Sequence, residues 1–233
     1  FGAYTLKMLQ YETLLYIYIS GVGMFFLLKH FINENIICLF GAAAYMLCGY
    51  NSDSAQFLNW ISSASFIPLV FLFYYRTLTE KKLSNPVFAG LFLFLLFTTA
   101  YPADFILMLY LMAGLLIFFL IKARQLKDTF FKILKYQLAL GSVFIVLSLP
   151  AILSYIEYLP LTERGSGASF AAAMSNPLHP KLLFSFLTPL PIWKASGVGI
   201  TDPLERNSFF GFIAFAFFIL AFFFKSKNQL VNI

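Results

Sequence analysis

The sequence predicts an all-α fold, a polytopic transmembrane helix bundle with about seven spans. Three observations predict it: the apolar composition, the length of the apolar runs and the positions of the charged residues. The chain of 233 residues is 61% hydrophobic and 11% charged, with 31 phenylalanines, whereas a soluble domain is usually about half apolar and a quarter charged. A soluble fold would have to expose much of this apolar surface, which is rare on soluble monomers. Lipid is therefore the predicted solvent.

Apolar runs near the length needed to cross a bilayer, about 20 residues, recur along the chain. Seven are predicted spans: Tyr11–Leu28, Ile36–Tyr50, Trp60–Tyr75, Val87–Ala100, Ala103–Ile121, Tyr136–Ile156 and Ser208–Phe224. The second, third and fourth are short, which local thinning of the bilayer tolerates. The runs do not alternate apolar with polar residues, as a membrane barrel requires, so helices are predicted and strands are not.

The charged residues predict which side of the membrane each loop occupies. With the N-terminus outside and the spans alternating, eleven of the 16 Lys and Arg residues fall in cytoplasmic loops, and seven of the 10 acids fall outside. The reverse orientation would place most positive charge outside, against the positive-inside rule. Because the basic residues lie in short clusters between apolar runs, they indicate topology and not nucleic-acid binding.

The longest predicted outer segment joins the sixth and seventh spans, over residues 157–207. It has six prolines and no spanning run. Loops of this length without structure of their own are uncommon unless they are functional. We expect short interfacial helices there, with Phe184, Phe186 and Trp193 at headgroup depth. Nothing separates this segment as another domain, so residues 1–233 are predicted to form one transmembrane domain.

Asp53 lies in the predicted outer turn between the second and third spans. An ionisable residue at the membrane edge is costly and is therefore a candidate for function. Its carboxylate could act as a general base, bind a metal ion or contact a sugar. The alternative is a solvated loop carboxylate that caps the following helix, which Asp does well.

Asp104 follows Pro102 at the head of the fifth span, also on the predicted outer face. Proline in a first helical turn with an acid just after it is a good helix start, so capping alone also explains this residue. Its predicted position makes it, together with Asp53, a candidate catalytic residue.

Five further residues of the outer segment are candidates for substrate binding: Glu157, Glu163, Arg164, His179 and Lys181. The planar fork of an arginine suits a lipid phosphate because it can donate two hydrogen bonds. The alternative for Arg164 is an ion pair with a neighbouring glutamate that holds the loop. The sequence has no Cys/His cluster and no nucleophile motif, so no set of metal ligands is predicted.

Five stretches of the sequence carry a resemblance to a known family. They are Cys48–Gln56 with the residues after it, Thr98–Ala103 (TTAYPA), Ser148–Ala151, Tyr158–Ser169 (YLPLTERGSGAS) and Asn207–Gly211. In their order and spacing they resemble the bacterial YfhO-type multi-pass membrane proteins, in particular those of Bacteroidetes-like bacteria. The resemblance covers nearly the whole chain. It implies the bacterial cell (inner) membrane, and a longer parent protein with further spans before Phe1 and after Ile233.

That family is similar to the GT-C glycosyltransferases, which transfer a sugar from a polyprenyl-phosphate carrier on the outer face of the membrane. The resemblance implies a GT-C-like fold and this reaction, with a cell-envelope polymer or lipid as the acceptor and a divalent metal as a candidate cofactor. In the GT-C pattern a catalytic acid lies in the first outer loop, which would precede Phe1. Asp53 occupies the next outer loop, where a second acid often helps to bind metal or acceptor. Many relatives have a histidine near Gln56, and Phe57 departs from that pattern.

Two other functions fit the same sequence. A transporter or flippase for an envelope lipid would place polar groups near mid-membrane on broken helices, whereas the predicted spans have few charges at their centres. A non-catalytic membrane scaffold is the third function. The sequence favours the enzyme.

Overall fold

A computed structural model of the protein describes residues 5–53, 55, 57–80, 82–99, 101–123, 127–162, 167, 184–188 and 209–223. Eight α-helices lie within these residues: α1 Leu6–Phe31, α2 Asn35–Met46, α3 Gly49–Asp53, α4 Leu58–Thr79, α5 Ser84–Thr99, α6 Pro102–Ala123, α7 Lys127–Tyr158 and α8 Phe212–Phe223. A 3₁₀ turn over Leu159–Leu161 continues α7. Every regular element in the described residues is helical, which confirms the predicted all-α fold.

Four of these helices, α1, α4, α6 and α7, are long and apolar enough to cross a membrane. Within the described residues α5 has 16 residues, and α2 and α8 have 12 each. At 1.5 Å per residue their lengths are about 24 Å and about 18 Å, whereas a bilayer core is about 30 Å thick. Helices therefore lie within all seven predicted spans; α2 and α5 are shorter than one crossing, and α8 is described only as far as Phe223.

The predicted second span, Ile36–Tyr50, is not one helix, because α2 ends before α3 begins. The last carbonyl groups of a helix have no partner within it. Here the fully buried Asn51 side chain donates a hydrogen bond of 2.7 Å from Nδ2 to the carbonyl of Tyr45. The N–H of Gly49 donates to the carbonyl of Phe209, which precedes α8. Glycine and asparagine favour helix ends over helix interiors, and this preference interrupts the apolar run.

α4 is the central helix and packs against α1, α5, α6 and α7. In its most apolar stretch α4 is 56% buried, whereas the corresponding stretch is 17% buried in α1 and 11% buried in α7. α4 has three buried serines, Ser62, Ser63 and Ser65. Small residues of this kind allow helices to pack closely in membranes. The Ser65 hydroxyl donates to the Tyr16 carbonyl of α1 at 2.6 Å, and the Ser62 hydroxyl donates to the Thr99 carbonyl of α5 at 2.9 Å. Hydrogen bonds thus hold α4 between α1 and α5.

The hydrophobic core lies where α4, α5, α6 and α7 meet. Its buried members are Phe66, Val70, Tyr74, Leu78, Ala89, Leu93, Leu96, Met108, Met112, Ile133 and Leu140. The Tyr74 hydroxyl, which would be costly to bury alone, donates to the Met112 carbonyl at 2.9 Å. Large apolar side chains on the outward faces of α6 and α7 are exposed, among them Leu107 and Val146, as lipid contact requires.

The helix directions give the bundle two ends of different charge. α1 and α4 run in the same direction, and α5 runs back beside α4. The end at which α1 and α4 finish is termed the basic end. Its basic residues with described side chains are Lys29, Arg76, Lys82, Lys122, Lys132 and Lys135, and its acids with described side chains are Glu34 and Glu80; Lys127 and Asp128 lie there as well, at the start of α7. The opposite end is termed the acidic end, with Glu12, Asp104 and Glu157, and with Lys7 as its described basic side chain.

Candidate functional site at the acidic end

A carboxylate and a phenol meet at the acidic end, where α3 faces the start of α6. The Tyr50 hydroxyl donates a hydrogen bond of 2.8 Å to Oδ2 of Asp104. Both residues are half-buried. Asp104 lies in the first turn of α6, which begins at Pro102, and a negative charge there is favoured by the helix dipole. The structure thus brings together two polar groups that are 54 positions apart in the chain.

The turn between α5 and α6 is fixed by α4. The N–H of Tyr101 donates to the Asn59 carbonyl at 3.1 Å and to the Ser63 hydroxyl at 3.0 Å. The N–H of Asp104 in turn donates to the Tyr101 carbonyl at 3.0 Å. Because these bonds join the start of α6 to α4, they also fix the position of the carboxylate.

The electrostatics of the pair keep the phenol a donor. Tyr50 lies in α3, beyond the membrane-spanning helices, and burial raises its pKa, which the neighbouring charge of Asp104 raises further. The hydroxyl therefore stays protonated and continues to donate to Oδ2. Oδ1 of Asp104 receives no hydrogen bond from the part of the chain that the structure describes, so one carboxylate oxygen is left for a ligand.

Aromatic rings surround Tyr50 and the first turn of α4. The ring of Trp60 has its centre 5.0 Å from that of Tyr101, 5.6 Å from that of Phe57 and 6.5 Å from that of Tyr50. Trp and Tyr are enriched where membrane meets water. The cluster therefore fits a site at the membrane boundary.

An apolar groove opens beside the start of α6, between α5, α6 and α7. Its volume is about 350 Å³, within the usual range for ligand sites. The lining residues are Phe97, Thr98, Pro102, Phe105, Ile106, Ala151 and Tyr155. Pro102, Phe105 and Ile106 share one face of α6, whereas Asp104 does not line the groove and lies about 150° around the helix axis, toward Tyr50.

Asp53 is the last residue of α3, and its side chain lies outside the described residues. The N-cap position of α4 is occupied by Phe57 and not by Asp53. Four residues separate Asp53 from the first residue of α4. Its catalytic role stays a prediction.

Of the five predicted substrate-binding residues, the structure describes Glu157. This residue is exposed. It lies in the last turn of α7, which continues past Ile156, the predicted end of the sixth span. It makes no hydrogen bond or ion pair with another described residue. The other four lie outside the described residues and stay predictions: Glu163, Arg164, His179 and Lys181.

A divalent metal is the cofactor that the family resemblance implies. Within the described ranges, no three His, Cys, Asp or Glu side chains lie close enough to hold a metal ion. Asp104 has a neutral phenol as its bonded neighbour, and a protonated phenol is a poor metal ligand. The described residues therefore do not by themselves form a metal site.

Sequence reasoning missed Tyr50 as a site residue. It lies in one of the stretches that resemble the YfhO-type proteins, but nothing in its local sequence marks a partner on another helix. Ser63 was missed for the same reason, since a serine in an apolar run is most simply a packing residue. A pair of covarying positions is the signal that would have joined Tyr50 to Asp104.

The long apolar helices, their exposed apolar faces and the charged ends define the chain as a helical membrane protein. No protein-family model matches its sequence, and comparisons with curated proteins and with solved structures give no match either. The similarity to YfhO-type proteins stays a prediction from the sequence.

Proposed function

We propose that this protein is a GT-C-like membrane glycosyltransferase, which transfers a sugar from a polyprenyl-phosphate donor to a cell-envelope acceptor. The observation that carries the proposal is the Asp104 carboxylate, which accepts a hydrogen bond from Tyr50 at the same end of the bundle as an apolar groove. A lipid-linked sugar needs an apolar surface for its chain and a polar site at the membrane boundary for its reacting groups. The acidic end offers both, on different faces of the start of α6.

In this proposal Asp104 is the general base. Its Oδ1 takes the proton of the acceptor hydroxyl while that oxygen bonds to the anomeric carbon of the donor sugar. The bond between the anomeric carbon and the phosphate oxygen breaks, and polyprenyl phosphate leaves with the bonding electrons. Tyr50 keeps its own proton and orients the carboxylate through Oδ2.

The leaving phosphate needs positive charge near it. Arg164 and Lys181 are the predicted cations of the outer segment, and Glu157, Glu163 and His179 are the predicted contacts to donor or acceptor. A bound metal ion is the alternative source of positive charge. The proton transfer to Asp104 and the cleavage of the bond to phosphate do not require it.

The reaction is placed at the outer face of the bacterial inner membrane, with the N-terminus of this chain outside and its C-terminus in the cytoplasm. Support for this orientation comes from the basic end, which carries six of the basic residues whose side chains are described, against one at the acidic end. The positive-inside rule puts such an end in the cytoplasm. The Asp104 site is then extracytoplasmic, where a lipid-linked donor is used.

The test is sugar transfer by the purified protein in vesicles, with polyprenyl-phosphate hexoses as donors and envelope lipid as acceptor. We expect Asp104→Asn to lower kcat by a factor of roughly 10²–10⁴, the usual contribution of a general base. Tyr50→Phe removes the orienting hydrogen bond but keeps the base, so its loss should be smaller.

The matched control is Glu34→Gln, which removes an exposed carboxylate at the basic end and should leave kcat unchanged. Asp53→Asn is measured beside it. Full turnover in Asp104→Asn, with loss in Asp53→Asn, would show that the general base is Asp53 on α3 and not Asp104 on α6.

The break between α2 and α3 favours a transporter or flippase as the second candidate. Transporters bind their substrates at interrupted helices, and the fully buried Asn51 lies at this interruption with its Oδ1 unpartnered among the described residues. Movement of an envelope lipid across proteoliposomes, without sugar transfer, would support this function over the enzyme. A non-catalytic scaffold would show neither activity.

A further inference from the structure

Three helices meet at Arg76 on the basic end. Its Nε donates to Nδ1 of His30 on α1 at 3.4 Å, and the same atom lies 3.5 Å from Oε1 of Glu80 at the end of α4. The guanidinium carbon lies 5.9 Å above the ring centre of Phe73. The buried Asn85 of α5 donates to Oε2 of Glu80 at 3.1 Å. The arginine is therefore held on several sides through its inner nitrogen and its planar face.

The two terminal nitrogens of the same guanidinium, Nη1 and Nη2, make none of these hydrogen bonds and are available to a ligand. No described residue accepts a hydrogen bond from Nη1 or Nη2 of Arg76, and the side chain is 31% exposed. These two nitrogens form the fork that binds phosphate with two parallel hydrogen bonds. Because the inner nitrogen is already fixed, little conformational freedom is left to lose when an anion binds.

The charge around Arg76 stays positive after its ion pair is counted. Glu80 accepts from Asn85 and lies 3.9 Å from the ammonium of Lys82. Lys29 precedes His30 in the sequence, and its Nζ donates a hydrogen bond to the carbonyl of Asn33, just after α1. Glu34, the other acid of this end whose side chain is described, is exposed. Arg76 and Lys82 therefore share the single carboxylate of Glu80, and Lys29 adds a further cation at the end of α1.

Exposed apolar side chains border this cluster. Phe31 is 46% exposed, Leu83 59% and Val87 42%. Phe31 ends α1 beside the ring of His30, Leu83 follows Lys82 just before α5, and Val87 lies in the first turn of α5. A free phosphate ion would leave these side chains uncovered, whereas a phospholipid would place its phosphate on Arg76 and its glycerol and acyl groups against them.

We propose that the basic end has a binding site for the headgroup phosphate of an anionic phospholipid, with the outer fork of Arg76 as its principal contact. Lys82 and Lys29 supply further positive charge, and Phe31 and Leu83 contact the acyl region. The site lies at the opposite end from Asp104 and does not depend on the proposed reaction.

The test measures the melting temperature of the purified chain in detergent micelles. Dihexanoyl phosphatidylglycerol should raise it by roughly 3 °C more than dihexanoyl phosphatidylcholine, because a ligand of the folded state stabilises by mass action. In Arg76→Gln this difference should fall by at least half. In Lys7→Gln, which removes an exposed cation from the acidic end, it should be unchanged.

An undiminished difference in Arg76→Gln would overturn the site, as would an equal loss in Lys7→Gln. An equal rise with inorganic phosphate would show an ion site and overturn the lipid. If Arg76→Gln does not fold, Arg76→Lys replaces it, because lysine keeps the charge but has no fork. A full lipid effect in both Arg76→Lys and Lys82→Gln would then contradict the proposal.

Discussion

At the scale of single residues, a proline in α4 explains a tyrosine on α2. Pro68 has no N–H, so the carbonyl of Ala64, four residues earlier, has no helical donor. The hydroxyl of Tyr45 donates to this carbonyl at 2.8 Å. In a bilayer no water is available to replace such a bond. Tyr45 therefore satisfies a backbone group that Pro68 leaves open, and it joins α2 to the central helix.

Tyr45→Phe should destabilise the protein by about 1 kcal/mol, because it leaves the Ala64 carbonyl without a donor. In the Pro68→Ala background the cost should fall to less than half, since Ala at 68 restores the helical N–H. Denaturation of the four proteins of this double-mutant cycle measures the difference. Equal costs in the two backgrounds would contradict the explanation.

At the scale of helices, the contact between α5 and α7 depends on one glycine. A Cβ on Gly90 would lie 2.8 Å from the backbone oxygen of Leu140 and 3.0 Å from Cβ of Val143. Neither atom is the end of a flexible side chain, so α7 itself would have to move. The absence of a side chain at Gly90 therefore sets the distance between these two helices.

Gly90→Ala should lower the free energy of unfolding by roughly 1–3 kcal/mol, as overpacking in a close contact does. The control is Gly114→Ala in α6, where an added Cβ meets nothing within 4 Å. That change should be neutral or slightly stabilising, because alanine is the better helix former. Equal unfolding curves for the two variants would show that the α5–α7 contact adjusts easily.

At the scale of the whole molecule, the helix directions gather most described cations at one end and Asp104 at the other. The proposed reaction requires the acidic end to face outward. Two exposed positions report on the two ends: Leu161 after α7, which is 81% exposed, and Lys82 before α5, whose side chain is 74% exposed.

In a background with Cys38→Ala and Cys48→Ala, a membrane-impermeant maleimide should label Leu161→Cys in intact cells. It should label Lys82→Cys only after the membrane is opened, because the positive-inside rule puts the basic end in the cytoplasm. The reversed pattern would place Asp104 in the cytoplasm and exclude a donor of the outer leaflet.

The sequence predicted the helices well because each depends on local apolar content. It predicted the sixth span to end at Ile156, whereas α7 continues to Tyr158, since helix ends depend on neighbours as well as on propensity. It also predicted one helix over Ile36–Tyr50. Gly49 and Asn51 disfavoured this, but the bonds that stabilise the break come from elsewhere in the chain, including Phe209.

The candidate site was predictable in part. Asp104 was singled out from its position after Pro102, because proline and an acid at a helix start are local signals. Its partner was not, since Tyr50 and Asp104 are 54 positions apart and two whole helices lie between them. The contact between Arg76 and His30 was not predictable either, because these residues are 46 positions apart.

The sequence alone determined that the chain is helical, that its solvent is lipid and that its charges separate, because hydrophobicity and net charge add up locally along each segment. Only the tertiary structure decided which side chains meet: Tyr50 with Asp104, Tyr45 with the carbonyl freed by Pro68, and α5 with α7 at Gly90. The physical reason is that these contacts depend on the relative rotation and height of packed helices, and a helical repeat within one segment carries no information about the register of another.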